Sequence, residues 1–466
     1  ILCTFFFMKC FAFPMDSVET SDFLVDKLNK GFQNLNLNHK DRISMLPDSI
    51  LSHILSYLPS KHAVATSILS TRWRYLWTFI NVLDFDDSLF LCPYDPNTDK
   101  LSQKISFINF VHTVLTLNVS AVEKCSLKCS KSNIDVFQVR AWVSILLLRG
   151  VQEIDLCFPS SRNLSVEFVH GFYNLVHLKL GKRFVLNVPK SSVLFPNLKT
   201  LYLDSIEFRD NASAENLFGS CLVLEELYVE DCGFRNLKVF KVNNHSLKYM
   251  RMKCSFENEN DEYNTEFCEY KVVINAPKLE HLEYVDYLAE GYSFKNLHLL
   301  QQVYIDVAFG RRTRRNVSKC VDELLKGICN IRVLQITTYT MEVFSYFGGC
   351  ELPKFCNLTQ LAVATNKYCG HLLPNLLDKS PCLESLIIHE GLARFEGSLG
   401  DFEWKPPPCV PECILNCLKK IDIWGFNGGD EVMNFIIYIM KRAEFLEEIS
   451  TSPCMFDSEV ISSSHN

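Results

Sequence analysis

Residues 41–77 read DRISMLPDSILSHILSYLPSKHAVATSILSTRWRYLW, and they decide what the chain is built around. Leu46 and Pro47 open a first helix, with proline where its missing N–H is not needed and its fixed φ already suits a helix. Ile50, Leu51, Ile54, Leu55 and Leu58 follow at helical spacing until Pro59 ends the run. Ser60 is placed to cap a second helical turn carrying Ala63, Val64, Ser67 and Ile68. Thr71 is placed to cap a third, with Trp73, Leu76 and Trp77 at i, i+3 and i+4. Three such short helices carry more apolar side chain than a unit of about forty residues can enclose, so part of it calls for cover by another protein or domain.

The order of motifs is more specific than amphipathicity. An LP opening, an aliphatic helix ending in LP at Leu58 and Pro59, a small-residue turn at Ala65 to Ser67 and the run LS-x-RW-x-x-LW from Leu69 closely resemble an F-box. The resemblance implies docking onto the small Skp adaptor of a cullin ubiquitin ligase. It assigns that docking to Leu46, Pro47, Ile50, Ile54, Leu55, Leu58, Pro59, Val64, Leu69, Trp73 and Trp77, partly against the adaptor and partly in the module's own core. The sequence does not divide the two roles.

Working outward, the chain repeats a leucine, two polar positions, an apolar residue, one position and another apolar residue. Leu175-Leu178-Leu180, Leu198-Leu201-Leu203, Leu224-Leu227-Val229 and Leu247-Met250-Met252 are clear examples, and Val151-Ile154-Leu156 precedes them. Leu279-Leu282-Tyr284, Ile331-Leu334-Ile336, Leu358-Leu361-Val363, Leu383-Leu386-Ile388 and Leu418-Ile421-Ile423 continue the series. The spacing predicts short strands whose alternate residues face inward, each followed by a return segment packed behind it. Stacking such units joins the strands into a parallel sheet. Glu215 to Cys221, Val321 to Cys329 and Leu372 to Cys382 read as helical returns, each with a small or sulfur residue near the next strand. This part resembles the degenerate leucine-rich repeats of plant F-box proteins from about Val151 to Ile423. Ser120 to Gly150, with a strand-like VEKCSLKC and a helix over Val136 to Leu148, reads as part of the same stack.

At the C-terminal end, WKPPPCVP from Trp404 precedes LKKIDIWGFNGGDEVMNFIIYIMKRAEFLEEI. A strand, a glycine-bearing turn, a helix over about Asp430 to Ala443 and a new start at Leu446 resemble the FBD domain of many plant F-box and leucine-rich-repeat proteins. Its place at the open end of the stack predicts a cap. The fold class expected is therefore α/β: a three-helix F-box, a leucine-rich-repeat solenoid with parallel strands on its concave face and helices or loops behind, and an FBD cap. The loop LCPYDPNTDK over 91–100 marks the boundary between module and stack. The domains run 1–40 as a leader, 41–88, 101–399 and 400–466.

Composition fits an adaptor with a large recognition domain. The 466 residues are 48% hydrophobic with 35 Phe, and the net charge of −7 argues against nucleic acid as the main partner. No run approaches the length needed to cross a bilayer. The 20 cysteines lack any C-x-x-C pair and read as reduced, buried thiols of a cytoplasmic or nuclear protein. Cys409, Cys413 and Cys417 are evenly spaced, but no nearby histidine completes a zinc set and Pro411 interrupts the helix that would align them. No cofactor or metal is expected.

The opening ILCTFFFMKCFAFP lacks a positive n-region and a small-residue cleavage site. It reads as a gene-model extension or a fragment end, with Met8 and Met15 as candidate starts. Six N-x-S/T sequons, among them Asn118, Asn163 and Asn316, matter only for a secreted chain. Phosphate-loop, nucleophile-elbow, H-E-x-x-H and G-x-G-x-x-G motifs are missing, and His177 and His281 read as surface residues of repeats. RRTRR over 311–315 and the acidic run over 257–262 read as solvated insertions. The function implied is that of a non-catalytic substrate receptor of a Skp, cullin and F-box ligase with an unidentified protein target. Two alternatives stay open: a binding scaffold that assembles no ligase, and a secreted or receptor-type repeat protein.

Overall fold

Strands in which every second residue is apolar dominate the chain, as the L-x-x-L-x-L spacing predicts. The computed structural model describes residues 43, 45–90, 100–129, 134–158, 165–167, 172–181, 185–188, 190, 195–254, 270–309, 316–345, 352–364, 369–389, 404–425 and 430–452. The leader, the 91–99 loop and the basic and acidic runs at 311–315 and 257–262 lie outside the described residues. The chain divides into two units, Ile1–Ser161 and Arg162–Asn466.

In the first unit α1 (Asp48–Leu55) and α2 (Ser60–Ala65) lead into 3-10 turns at Thr66–Ile68 and Trp73–Phe79. Then come β1 (Val82–Asp86), α3 (Lys100–Leu117), β2 (Lys124–Lys128), α4 (Val136–Leu148) and β3 (Glu153–Cys157). The three strands pair in parallel, aligning Leu83 with Cys125 and Ile154, and Phe85 with Leu127 and Leu156, all buried. Phe85, Phe107, Phe110 and Trp142 close the core with edge-on ring contacts. Helix α4 shows how local chemistry sets its ends. Asp135 accepts from Phe137 N at its start, and Gly150 at φ 75° ends it, with Gly150 N donating to Leu147 O and Val151 N to Leu146 O. This pairing satisfies two otherwise orphaned carbonyls and needs a residue that tolerates the left-handed region.

Contacts within the first unit run across the 91–100 loop expected as the domain boundary. The first strand of the stack, β1, lies before that loop, and 101–161 groups with the N-terminal helices. The reason is a set of contacts spanning the loop: Asn118 Nδ2 donates to Ile80 O at 2.8 Å, Ser120 Oγ to Phe79 O at 2.9 Å, and Phe90 meets Phe107 at 5.3 Å between ring centroids. Asn118, read from sequence only as part of a sequon, is a buried amide holding a turn.

The second unit runs β4 (Ser165–Glu167), β5 (His177–Gly181), β6 (Val185–Asn187), β7 (Thr200–Asp204) and β8 (Glu207–Phe208) into α5 (Asn211–Ser220). β9 (Glu226–Glu230), β10 (Val239–Asn243), β11 (Tyr249–Lys253), β12 (Lys271–Asn275), β13 (His281–Tyr287), β14 (Gly291–Lys295) and β15 (Gln302–Ala308) follow, then α6 (Val317–Ile328). The remaining elements are β16 (Val333–Ile336), α7 (Thr338–Ser345), β17 (Gln360–Ala364), α8 (Cys369–Asp378), β18 (Ser385–His389), α9 (Glu412–Asn416), β19 (Lys420–Trp424), α10 (Asp430–Met440) and β20 (Glu448–Ser452).

One parallel sheet takes β5, β7, β9, β11, β13 and β15 to β20 in order. Its register lines up Leu178, Leu201, Leu227, Met250, Leu282, Val303, Leu334, Leu361, Leu386 and Ile421 on neighbouring strands, every one buried. A one-residue slip would turn this whole row outward, so the apolar alternation pins the register.

Some return segments, expected as helices or loops, are strands. β4, β6 and β8 form a second parallel sheet and β10, β12 and β14 a third. Phe240, Val242, Val272 and Ile274 are buried at alternate positions there, a period-two pattern that favours strands. Part of the long 247 to 279 interval is thus β12. Leu300 and, on strand β15, Val303 and Ile305 follow the repeat spacing, which the sequence reading does not include.

The helical returns lie at 211–220, 317–328 and 369–378, starting a few residues earlier than expected. Cys221 ends the first, buried, with its Sγ donating to Leu217 O, and burial pushes its thiol up to about 12. At the C-terminal end Trp404 packs edge-on against Phe435 and Tyr438 of α10, and its backbone N–H donates to Glu431 Oε2 at 3.0 Å. β20 closes the order of the sheet but is itself largely exposed. The unit expected as a cap therefore ends in a strand with no neighbour on its outer side among the described residues.

Two glycines in helices behind the sheets carry opposite expectations. A Cβ at Gly327 would lie 2.4 Å from Phe294 Cδ2, while one at Gly219 meets nothing within 4 Å. Gly327→Ala is expected to destabilise by about 1–3 kcal/mol through overpacking, and Gly219→Ala to stabilise by about 0.5–1 kcal/mol. Urea denaturation midpoints of the two variants check both signs.

Candidate docking face on the N-terminal helices

Helix α1 is apolar on two sides. Leu51 and Leu55, four residues apart, are buried in the first unit, while Ile50, Ile54, Tyr57 and Leu58 at i, i+4, i+7 and i+8 stay exposed. Ile50 and Ile54 leave 45% and 44% of their surface to solvent. The following turns add to the exposed set with Ile68 at 85% and Leu69 at 66% exposure, and Tyr75 and Phe79 are exposed as well.

The residues expected to dock therefore fall into three groups. Leu55, Val64 and Trp77 are buried within the unit; Pro47, Ile50, Ile54, Leu58 and Leu69 are exposed; Leu46, Pro59 and Trp73 are half-buried. Sequence reasoning did not single out Met45, Tyr57, Ile68, Tyr75 or Phe79, all exposed. Their only signal was apolar character at positions next to the motif residues.

Local hydrogen bonds hold these surfaces in place, and they differ from the caps expected. Pro47 is the N-cap of α1, its carbonyl accepting from Ile50 N and Leu51 N. Ser60 does not cap α2. It is buried as the first helical residue, and its Oγ accepts from Asp84 N at 2.9 Å, tying the helix to β1. Thr71 caps nothing, and the third helical piece is a 3-10 turn over Trp73–Phe79. The aromatic residues Trp73, Tyr75, Trp77 and Phe79 lose χ1 freedom in an α-helix, which lowers the preference for one there.

The arginine of the RW motif has a role the sequence reading left unassigned. Arg72 Nε and Nη2 donate to Asp48 Oδ1 at 2.9 and 2.7 Å, and Nη2 also donates to the carbonyl of Leu46. It clamps the LP opening to the RW turn across 24 residues of chain. Both partners are well exposed, so the ion pair itself is worth only about 0–1 kcal/mol. Its contribution is placement. Ser52 Oγ donates to Leu76 O and Ser56 Oγ to Asn81 Oδ1, adding two further ties between α1 and the same turn region.

What the face offers is apolar contact. Among the described residues no group of three or more His, Cys, Asp or Glu is placed to hold a metal ion, Cys413 is buried and Cys409 exposed. No described helix is long and apolar enough to cross a membrane.

Two family models match the chain. Residues 43–84 match the F-box domain model, and residues 112–455 match the model described as the At1g61320/AtMIF1 LRR domain. F-box/LRR-repeat protein At3g59200 of Arabidopsis thaliana is 33% identical over 439 residues, covering 88% of this chain and 82% of that protein. F-box/LRR-repeat protein At4g14103 of the same plant is 35% identical over 378 residues, covering 76% and 94%. The putative F-box/FBD/LRR-repeat protein At3g59240 is 33% identical over 432 residues, covering 88% and 83%. With an F-box on its first helices and leucine-rich repeats along most of its length, the chain belongs to the F-box/LRR-repeat family.

Proposed function

We propose that this chain is the substrate-recognition subunit of a Skp, cullin and F-box ubiquitin ligase, working in the cytoplasm, the nucleus or both. The observation that carries the reading is the exposed pair Ile50 and Ile54 on a helix whose other apolar side is already buried, continued by exposed Leu58 just past the helix end. Removing one such side chain fully from water is worth about 1.5–3 kcal/mol, and a contiguous set of them marks a protein-binding face. A Skp-family adaptor covers this face. The repeats hold a protein target through the outward side chains of the sheet.

The mechanism is proximity. Holding a target beside a ubiquitin-loaded conjugating enzyme turns an encounter between separate molecules into one with a high effective concentration of target lysines. The chain supplies position, and the bond-making groups belong to the other subunits.

Ile54→Ala with Leu58→Ala is expected to weaken binding to a Skp-family adaptor by about tenfold or more, measured by calorimetry on the full chain. Leu46→Ala with Pro47→Ala is expected to abolish adaptor pull-down while the repeats stay folded. Unchanged adaptor binding by both doubles overturns the proposal, and adaptor capture without any cullin in plant extracts favours a scaffold instead. Leu55→Ala is expected to lower stability by about 2–5 kcal/mol, against about 0.5 kcal/mol or less for Ile54→Ala. Denaturation midpoints of the two singles separate core from docking residues.

A further inference from the structure

The outward row of the main sheet in the second unit is unlike any other described part of it. In direct register across β5, β7, β9, β11 and β13 stand Lys179, Tyr202, Tyr228, Arg251 and Glu283. Tyr202 and Tyr228 stack with centroids 5.4 Å apart, Tyr249 follows 5.2 Å from Tyr228, and the Lys179 ammonium lies 4.5 Å from the Tyr202 ring centroid. Tyrosine and arginine are the side chains that dominate binding energy in protein interfaces, and the three tyrosines and Arg251 are all half-buried.

Each phenol is committed as a donor to a glutamate: Tyr202 to Glu230, Tyr249 to Glu283 at 2.5 Å and Tyr228 to Glu226 at 3.3 Å. What the phenols and carboxylates then present outward is lone pairs. Charge points the same way. The outward residues of β7, β9, β11 and β13 include four carboxylates, Asp204, Glu226, Glu230 and Glu283, against two cations, Arg251 and Lys253. Arg251 Nε sits 2.9 Å from Glu283 Oε2 and 3.7 Å from Glu230 Oε1, at ion-pair distance without the alignment of a hydrogen bond. Burial first, then the carboxylates of Glu226 and Glu283, push the Tyr228 phenol up to about 12.

We infer that this tyrosine and glutamate strip binds an extended segment of a protein target that carries arginine or lysine. The cationic heads pair with Glu226 and Glu230, and their stems lie along the tyrosine edges. The Lys179 ammonium over the Tyr202 ring shows the kind of contact the row accepts. Arg251 is then an internal competitor, holding Glu230 and Glu283 in the absence of a target. The inference rests on the proposed role of the repeats in holding a target, and it does not depend on adaptor docking.

The test is fluorescence anisotropy of the full chain, without adaptor, against short labelled peptides of alternating arginine and serine, glutamine and serine, or glutamate and serine. The arginine peptide is expected to bind best. Glu226→Gln with Glu230→Gln is expected to weaken it about tenfold, while Glu444→Gln with Glu447→Gln, outside the strip, leaves it unchanged. Arg251→Gln is expected to tighten it about threefold or more, a gain that misfolding cannot produce. Equal or tighter binding of the glutamate or glutamine peptide, equal losses for the two glutamate doubles, or weaker binding by Arg251→Gln each overturns the inference. So does the absence of arginine-peptide binding. Adaptor capture is read separately, so a chain that fails there and binds here loses only the ligase reading.

Discussion

Helix α1 has more apolar surface than its own unit buries, and the rest of the molecule is organised around that excess. Leu51 and Leu55 fill the interior, so Ile50, Ile54 and Leu58 have nowhere to go within the described first unit. The constraint is geometric: residues one position apart on a helix point about a quarter-turn away from each other, and a short helix cannot turn both pairs inward. Arg72 and the serines Ser52 and Ser56 hold α1 against the RW turn, so the exposed row is presented on a fixed frame. On the proposed reading, a partner would meet a surface that is already formed, which lowers the entropy lost on binding.

The repeats solve the opposite problem. Each strand buries its alternate apolar residues against the return segments, and the parallel register shares that burial from unit to unit, from Leu178 to Ile421. The inward rows are chemically monotonous because they serve packing. The outward rows are free to vary, and they do: tyrosines, glutamates and arginine cluster on β7 to β13, whereas β17 turns Ala362 and Ala364 to that side. Packing and recognition thus use the two faces of one strand and change independently.

Much of this was legible in the sequence because it rests on period. The helical spacing of Ile50 to Leu58 and the leucine spacing of the repeats each report a burial pattern directly. What escaped was set by tertiary contact. Ser60 has the composition of a cap but gives its oxygen to Asp84 N, a choice that depends on where β1 lies. Residues 82–86 looked like the tail of the helical module because one short alternating run does not say which strand it will join. The second and third sheets were read as helices or loops, since returns such as Val239–Asn243 are too short for period alone to decide. The docking residues were named as a set, but their division between Leu55, Val64 and Trp77 inside and Ile50, Ile54 and Leu69 outside needed coordinates.

On the proposed function, a partner protein covers the exposed side of α1 and the turns after it. Amide hydrogen exchange of the full chain with and without an excess of a Skp-family adaptor tests this most directly. Added protection over Asp48–Leu58 and Thr66–Phe79, with the strands from β5 to β19 unchanged, is the result the account requires. Exchange in those N-terminal segments that is the same with and without adaptor, or protection confined to the repeats, would contradict it.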